Sequence, residues 1–180
     1  MNALVVANLV AQSALFVGAI WCIAFPARRI YPMSSRTIWY YAMWLLFWFV
    51  LLTNPLFVVL DWNTGAWSSP LRLWLAVPLG LTGALLFGAG ATTLGVKNTS
   101  GLRDGFVARG PYLLTRNPQY LGDILMFTGF SIAANSEVVL VTHAFTSLIF
   151  LVAPLAEEPW LETQYGETYL EYRREVPRFI

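Results

Sequence analysis

Five apolar runs, at residues 3–25, 38–60, 71–96, 120–135 and 138–155, take up most of this 180-residue chain. About 20 apolar residues in a helix cross the ~30 Å of hydrocarbon in a bilayer. Within lipid a helix satisfies its own backbone groups, which irregular chain does not. The first three runs are long enough to span. The last two, of 16 and 18 residues, sit at the short limit and are parted only by Ser136 and Glu137, so they predict a tight helical hairpin. The expected fold is all-α: a polytopic membrane protein of about five transmembrane helices with an amphipathic helix at its C-terminal end. Residues 1–96 hold three spans, and residues 97–180 hold a polar loop, the hairpin and the final helix, all in one membrane domain.

Composition agrees. Charged residues make up 12% of the chain and hydrophobic ones 57%, against about 25% charged in a typical soluble domain. A net charge of +1 argues against nucleic acid as a partner. Cys22 is the single cysteine and His143 the single histidine. That excludes a disulfide within the chain, and no metal site is expected. His143 lies in a span, where it either bonds a neighbouring helix or serves a function. No Lys or Arg precedes the first run, whereas Arg28 and Arg29 follow it. This reverses the charge order of a cleaved secretory signal, so the first run is expected to be retained. Asn54-Pro55 interrupts the second run and predicts a kink, with Asn54 either bonding another helix or facing a ligand. In the third run Ala76, Gly80, Ala84, Gly88 and Thr92 recur every four residues. Such a stripe lets another helix come close, within the chain or in a homo-oligomer.

With five spans, the basic link 26–37, the loop 97–119 and the tail fall on one side of the membrane. They carry ten of the eleven Lys and Arg residues, with Arg72 the exception. The positive-inside rule then puts the N-terminus outside and the tail in the cytoplasm.

The stretch 110–123, GPYLLTRNPQYLGD, runs a polar, proline-stiffened loop into an apolar helix that carries an acid. Pro111 and Pro118 each fix their own backbone and hold the residue before them out of the helical region. Pro118 suits the first turn of the next helix. Tyr120 and Asp123, three apart, share one face of it. Arg116, Asn117, Tyr120 and Asp123 thus converge where backbone N–H groups at a helix start are free to hold a polar ligand. Arg116 is the nearest cation for Asp123. In the tail, Leu161, Tyr165, Tyr169, Tyr172 and Val176 recur at three and four residues, an amphipathic helical face expected to lie on the basic loops. Arg174 is placed to pair with Glu171. Glu157 and Glu158 are neighbours, pointing about 100° apart. One is expected to face the site and the other solvent or a loop arginine. The alternative is a pair of acids that favours a helix N-terminus.

These two segments together resemble the integral-membrane methyltransferases that include isoprenylcysteine carboxyl methyltransferase and the phospholipid N-methyltransferases. The resemblance rests on Gly110, Pro111, Tyr112, Arg116, Asn117, Pro118, Tyr120 and Gly122, then Glu157, Glu158, Leu161, Tyr165, Gly166, Tyr169, Tyr172, Val176 and Pro177. It implies S-adenosylmethionine as cofactor, held between loop and tail by Gly110, Tyr112, Arg116, Asn117, Pro118, Tyr120 and Glu157. It implies a lipid or other lipophilic acceptor, with Asp123 or Glu158 able to take a proton from an amine. Two departures matter. Asn117 stands where carboxyl-methylating members have His, and Ala153 stands where they carry an Arg that holds an anionic substrate. The run from Asn117 to Asp123 also faintly resembles membrane sterol reductases, which use NADPH. A non-catalytic assembly subunit is the remaining alternative.

Overall fold

The computed structural model describes residues 1–180 apart from 33–35, 68 and 103. Its helices are α1 (Asn2–Ala24), α2 (Ile38–Leu60), α3 (Leu73–Leu94), the single turn α4 (Val96–Thr99), α5 (Pro118–Ala134), α6 (Glu137–Tyr165) and α7 (Glu167–Glu175). No strand occurs among the described residues. Among the described residues, four segments have the length and apolarity of a membrane span: Asn2–Ala24, Ile38–Leu60, Pro70–Leu94 and Glu137–Tyr165. The fold is all-helical and membrane-embedded. The remaining expected span, 120–135, is the 17-residue α5, about 25 Å long at 1.5 Å per residue, somewhat short of the hydrocarbon thickness.

α5 reaches both ends of the bundle by packing antiparallel along α3. A Cβ added to Gly83 would lie 2.5 Å from the Gly122 carbonyl oxygen, and one on Gly129 would lie 2.6 Å from the Gly80 nitrogen. The backbones therefore touch, with no side chain between them. The contact row on α3 is Ala76, Gly80, Gly83, Phe87 and Gly90, spaced 4, 3, 4 and 3. The expected row spaced by fours holds only at Ala76 and Gly80. Four residues turn a helix about 400°, so a strict four-residue row drifts about 40° per step. Ala84 and Thr92 have drifted to an exposed side, and a Cβ on Gly88 would meet nothing within 4 Å.

A buried polar chain ties α1, α2 and α6. Asn8 Nδ2 donates to Thr53 Oγ1 at 2.7 Å, Gln12 Nε2 to the Thr142 carbonyl at 3.1 Å, and Asn54 Nδ2 to Thr146 Oγ1 at 2.7 Å. Asn54 is thus a helix-to-helix contact and not a ligand-facing group. His143 likewise bonds its neighbours, with Nδ1 3.2 Å from Ser131 Oγ and Nε2 3.3 Å from the Asn54 carbonyl.

At the end of the bundle away from the basic loops, Arg72 accounts for its own exception to the charge rule. It is buried and donates to the carbonyls of Ala133, Trp67 and Ser69 and to Asn63 Oδ1 at 2.8 Å. The guanidinium closes the C-terminal end of α5, whose last carbonyls have no helical partner. Arg72→Lys keeps the charge and loses the planar fork. We expect it to lower stability by about 2 kcal/mol, read by thermal unfolding in detergent.

The tail differs from the single helix expected from residue 156 onward. α6 continues unbroken through Pro154 and Pro159 to Tyr165, and Gly166, at φ +54°, turns the chain into α7. Twenty-nine residues measure about 44 Å, so the last turns of α6 extend beyond a 30 Å core. Glu157 and Glu158 therefore lie within a helix and not at an N-terminus. The expected aromatic face survives the break: Tyr169, Tyr172 and Val176 pack with Leu161, Tyr165 and Phe106. Arg174 pairs with Glu167 at 3.1 Å, not with Glu171, and Arg173 pairs with Glu162.

Candidate functional site

Three segments meet at the basic end of the bundle: the α1–α2 link, the loop between α4 and α5, and the tail. The tail is laced to the loop by backbone. Arg116 N–H donates to the Pro177 carbonyl at 2.9 Å, and the Arg178 carbonyl accepts from Thr115 Oγ1 at 3.0 Å and Asn117 Nδ2 at 2.9 Å. Tyr172 adds its hydroxyl to the Tyr112 carbonyl at 2.6 Å. Burial pushes the phenols of Tyr169 and Tyr172 up to about 12, so both stay protonated.

The two adjacent glutamates part company, as their 100° separation requires. Glu158 turns to the tail: Arg178 grips both of its oxygens in a fork at 2.7 and 2.8 Å, and Arg116 Nη1 lies 3.1 Å from Oε1. Glu157 turns to the other side, where the hydroxyls of Tyr31 (2.7 Å) and Tyr120 both donate to its Oε1. Tyr31 belongs to the α1–α2 link. Burial, and then the Glu157 carboxylate, hold its phenol well above the ordinary value. The Tyr120 ring is stacked on Phe150 at 5.6 Å between centroids.

A cavity of about 700 Å³ opens between these groups. Its polar end is lined by Tyr112, Arg116, Asn117, Tyr120, Glu157 and Glu158. Asp123 lies one turn deeper, 7% exposed, with no hydrogen-bond or ion-pair partner among the described residues. Its expected partner, Arg116, is committed to Glu158 and to the Tyr169 hydroxyl at 3.2 Å. The other end is apolar, formed by α1 and α2 residues such as Ala14, Gly18, Met43, Phe47 and Trp48. Lined this way, the cavity can take a molecule with a polar head and place a lipophilic one beside it.

Two expected site residues do not line the cavity. Gly110, at φ +57°, makes a turn that brings its backbone against Thr93 Oγ1, where a Cβ would come within 3.3 Å. Pro118 is fully buried and packs on Gly90. Both shape the loop. Conversely, sequence reasoning passed over Tyr31, whose Tyr-Pro setting in a basic link resembles any membrane-surface turn. It also passed over Gln119, which orients Tyr112 through a 2.9 Å bond to its hydroxyl.

Among the described residues, two buried donors have no partner: Arg116 Nε and Trp160 Nε1, both on residues that line the cavity. Unsatisfied buried donors are costly. Here they supply capacity for a ligand with acceptor atoms.

The phospholipid methyltransferase family model matches residues 71–168, more than half of the chain. Methanethiol S-methyltransferase 2 of Bradyrhizobium diazoefficiens is 31% identical over 151 residues, covering 73% of this chain and 58% of that protein. The chain thus spans less than two thirds of the length of this relative. No solved structure matches it. The matched segment begins at α3 and runs through both glutamates into α7, so it holds most of the cavity's polar end, and the chain belongs to the phospholipid methyltransferase family.

Proposed function

We propose that this protein transfers a methyl group from S-adenosylmethionine to a lipophilic thiol or amine at the cytosolic face of the membrane, with its N-terminus on the other side. The observation that carries the reading is the pairing of opposite needs on one cavity wall. Glu157 has one carboxylate oxygen occupied by two phenols and the other without a protein partner among the described residues, and Arg116 has an unsatisfied buried Nε. The donor's amino-acid end carries an ammonium and a carboxylate, which match these two groups in charge.

When bound, S-adenosylmethionine supplies a methyl group on a positively charged sulfur. The chain's own residues do the rest by position. Glu157 takes the ammonium. Arg116, steadied by Glu158, offers Nε to the carboxylate. Glu158 is thereby an anchor for Arg116 and Arg178 and no longer a candidate proton acceptor, since both of its oxygens are held by guanidinium groups. Asp123 is left to accept a proton from the acceptor. The Tyr faces at this end offer cation–π contact to a sulfonium. Most of the rate comes from alignment of donor and acceptor in the cavity. The relative's name specifies a thiol acceptor. The absence of a cation at Ala153, with Arg116 engaged, fits a neutral acceptor better than a carboxylate.

The test is calorimetric titration of detergent-purified protein with S-adenosylmethionine and S-adenosylhomocysteine, with NADPH as control. Both adenosyl ligands are expected to bind and NADPH to remain silent. Glu157→Gln is expected to weaken both by roughly 10–100-fold, the worth of a charge-assisted hydrogen bond. NADPH binding in place of the adenosyl ligands would overturn the reading in favour of a reductase.

A further inference from the structure

We propose that Tyr31, in the link between α1 and α2, is a positioning residue for the cofactor: it clamps Glu157 so that one carboxylate oxygen faces the donor's ammonium. The inference rests on the donor reading above.

Tyr31 lies well outside the segment that the family model matches, yet it reaches the centre of the site. Its hydroxyl donates to Glu157 Oε1 at 2.7 Å and lies 3.4 Å from the Tyr120 hydroxyl. Its ring is seated on the loop after α4, where a Cβ on Gly101 would come within 3.1 Å of Tyr31 Cε2. Gly101 stands at φ +77°, so both its backbone conformation and the missing side chain make room for the ring. One side chain therefore joins the N-terminal link, the α4 loop, α5 and α6 around a single carboxylate.

The chemistry follows from counting lone pairs. A carboxylate oxygen accepts two hydrogen bonds well. Tyr31 and Tyr120 fill Oε1 and so direct Oε2 away from themselves. With only Tyr120 present, the carboxylate can rotate about its last torsion, which is broad and weakly restrained. With both, rotation breaks two bonds to a charged acceptor. Glu157 is then held as a preorganised anion, and an ammonium meets it without first ordering the side chain. The clamp also makes the cavity a product of both halves of the chain. α1 and α2 shape the apolar end, and Tyr31 in the link between them tunes the donor end.

The test uses full-length protein and two ligands that differ only at the donor's amino-acid end. S-adenosylhomocysteine carries the ammonium, and 5′-methylthioadenosine does not. In Tyr31→Phe, affinity for S-adenosylhomocysteine is expected to fall roughly tenfold, in the range for outer-shell partners of a binding group. Affinity for 5′-methylthioadenosine is expected to hold, which also shows that the site is folded. In turnover, the donor KM should rise with kcat little changed, the mark of lost ground-state binding. In a Glu157→Gln background the same change should cost nothing further, because Tyr31 acts through Glu157. Equal weakening of both ligands, or an undiminished affinity for S-adenosylhomocysteine, overturns the assignment. Wild-type protein that binds neither ligand removes the donor reading, and this inference with it.

Discussion

Asp123→Asn is expected to lower turnover of a protonated acceptor by about 10²–10⁴-fold, the usual contribution of a positioned general base, while S-adenosylhomocysteine affinity stays within a factor of about two. The amide matches the carboxylate in size and cannot take a proton. Among the described residues, no other carboxylate on the cavity wall replaces it. Glu158 is gripped by Arg178 and Arg116, Glu157 has one oxygen on two phenols and keeps the other for the donor's ammonium, and Asn117 gives its amide to the Arg178 carbonyl. Asp123 is buried, lines the cavity, and has no cation or hydrogen-bond donor beside it among the described residues. A buried carboxylate without compensation is expensive, and an acceptor that donates a hydrogen to it relieves that cost. The pH profile separates this role from a packing role. An unperturbed thiol ionises near pH 8.5. As pH rises through that range the acceptor sheds its own proton, so the variant should approach the wild type. A defect that is constant with pH would assign Asp123 to structure, and a wild-type rate in the variant would remove it from the reaction. Single-turnover rates with a thiol acceptor between pH 6.5 and 9.5 make the distinction.

What could be read from the chain and what could not divides along physical lines. The helices were legible because lipid imposes a length and a composition on each, and 38–60 was placed to the residue. The chain's two motifs were legible because their prolines and acids interrupt apolar surroundings. Their roles were less so. Gly110 and Pro118 belong to the motif yet serve the turn and the helix packing, a distinction that depends on what lies across from them. Asn8 and Gln12, single polar residues in an apolar run, gave no sign that they would meet Thr53 and the Thr142 carbonyl. Pairing across spans is decided by rotation of whole helices, which periodicity fixes only loosely. The tail shows the converse. Its aromatic face was correct although the helix breaks at Gly166, because burying the same five side chains does not require an unbroken helix. Tyr31 is the sharpest case, since its partner Glu157 is 126 residues away. Only the expectation from charge that link and tail share one membrane side hinted at such a meeting.

Gly83→Leu or Gly122→Leu is expected to cost more than about 3 kcal/mol and to abolish activity, whereas Gly88→Ala is expected to be neutral or to stabilise by up to about 1 kcal/mol. Gly83 and Gly88 stand on α3, and Gly122 meets Gly83 from α5; the outcomes differ only in what stands opposite. A Cβ at Gly122 would lie 2.5 Å from the Phe87 nitrogen and 2.7 Å from the Gly83 carbonyl oxygen. Those are backbone atoms of a regular helix, so no side-chain rotation relieves the clash, and α3 and α5 must separate along their length. Separation removes the dispersion contacts that hold helices together in lipid, where no hydrophobic effect replaces them. It also moves chemistry. Gly122 adjoins Asp123, and Tyr120 lies two residues earlier, so a shift that spares the fold still displaces the proton acceptor and loosens the Tyr120 bond to Glu157. Gly88 faces open space, where a methyl group restricts only the unfolded chain and improves helix propensity. The check is thermal unfolding in detergent alongside S-adenosylhomocysteine affinity. A Gly122→Leu protein with wild-type melting temperature and affinity would show that α5 does not depend on α3 for its place. The site would then have to be held from the α6 side alone.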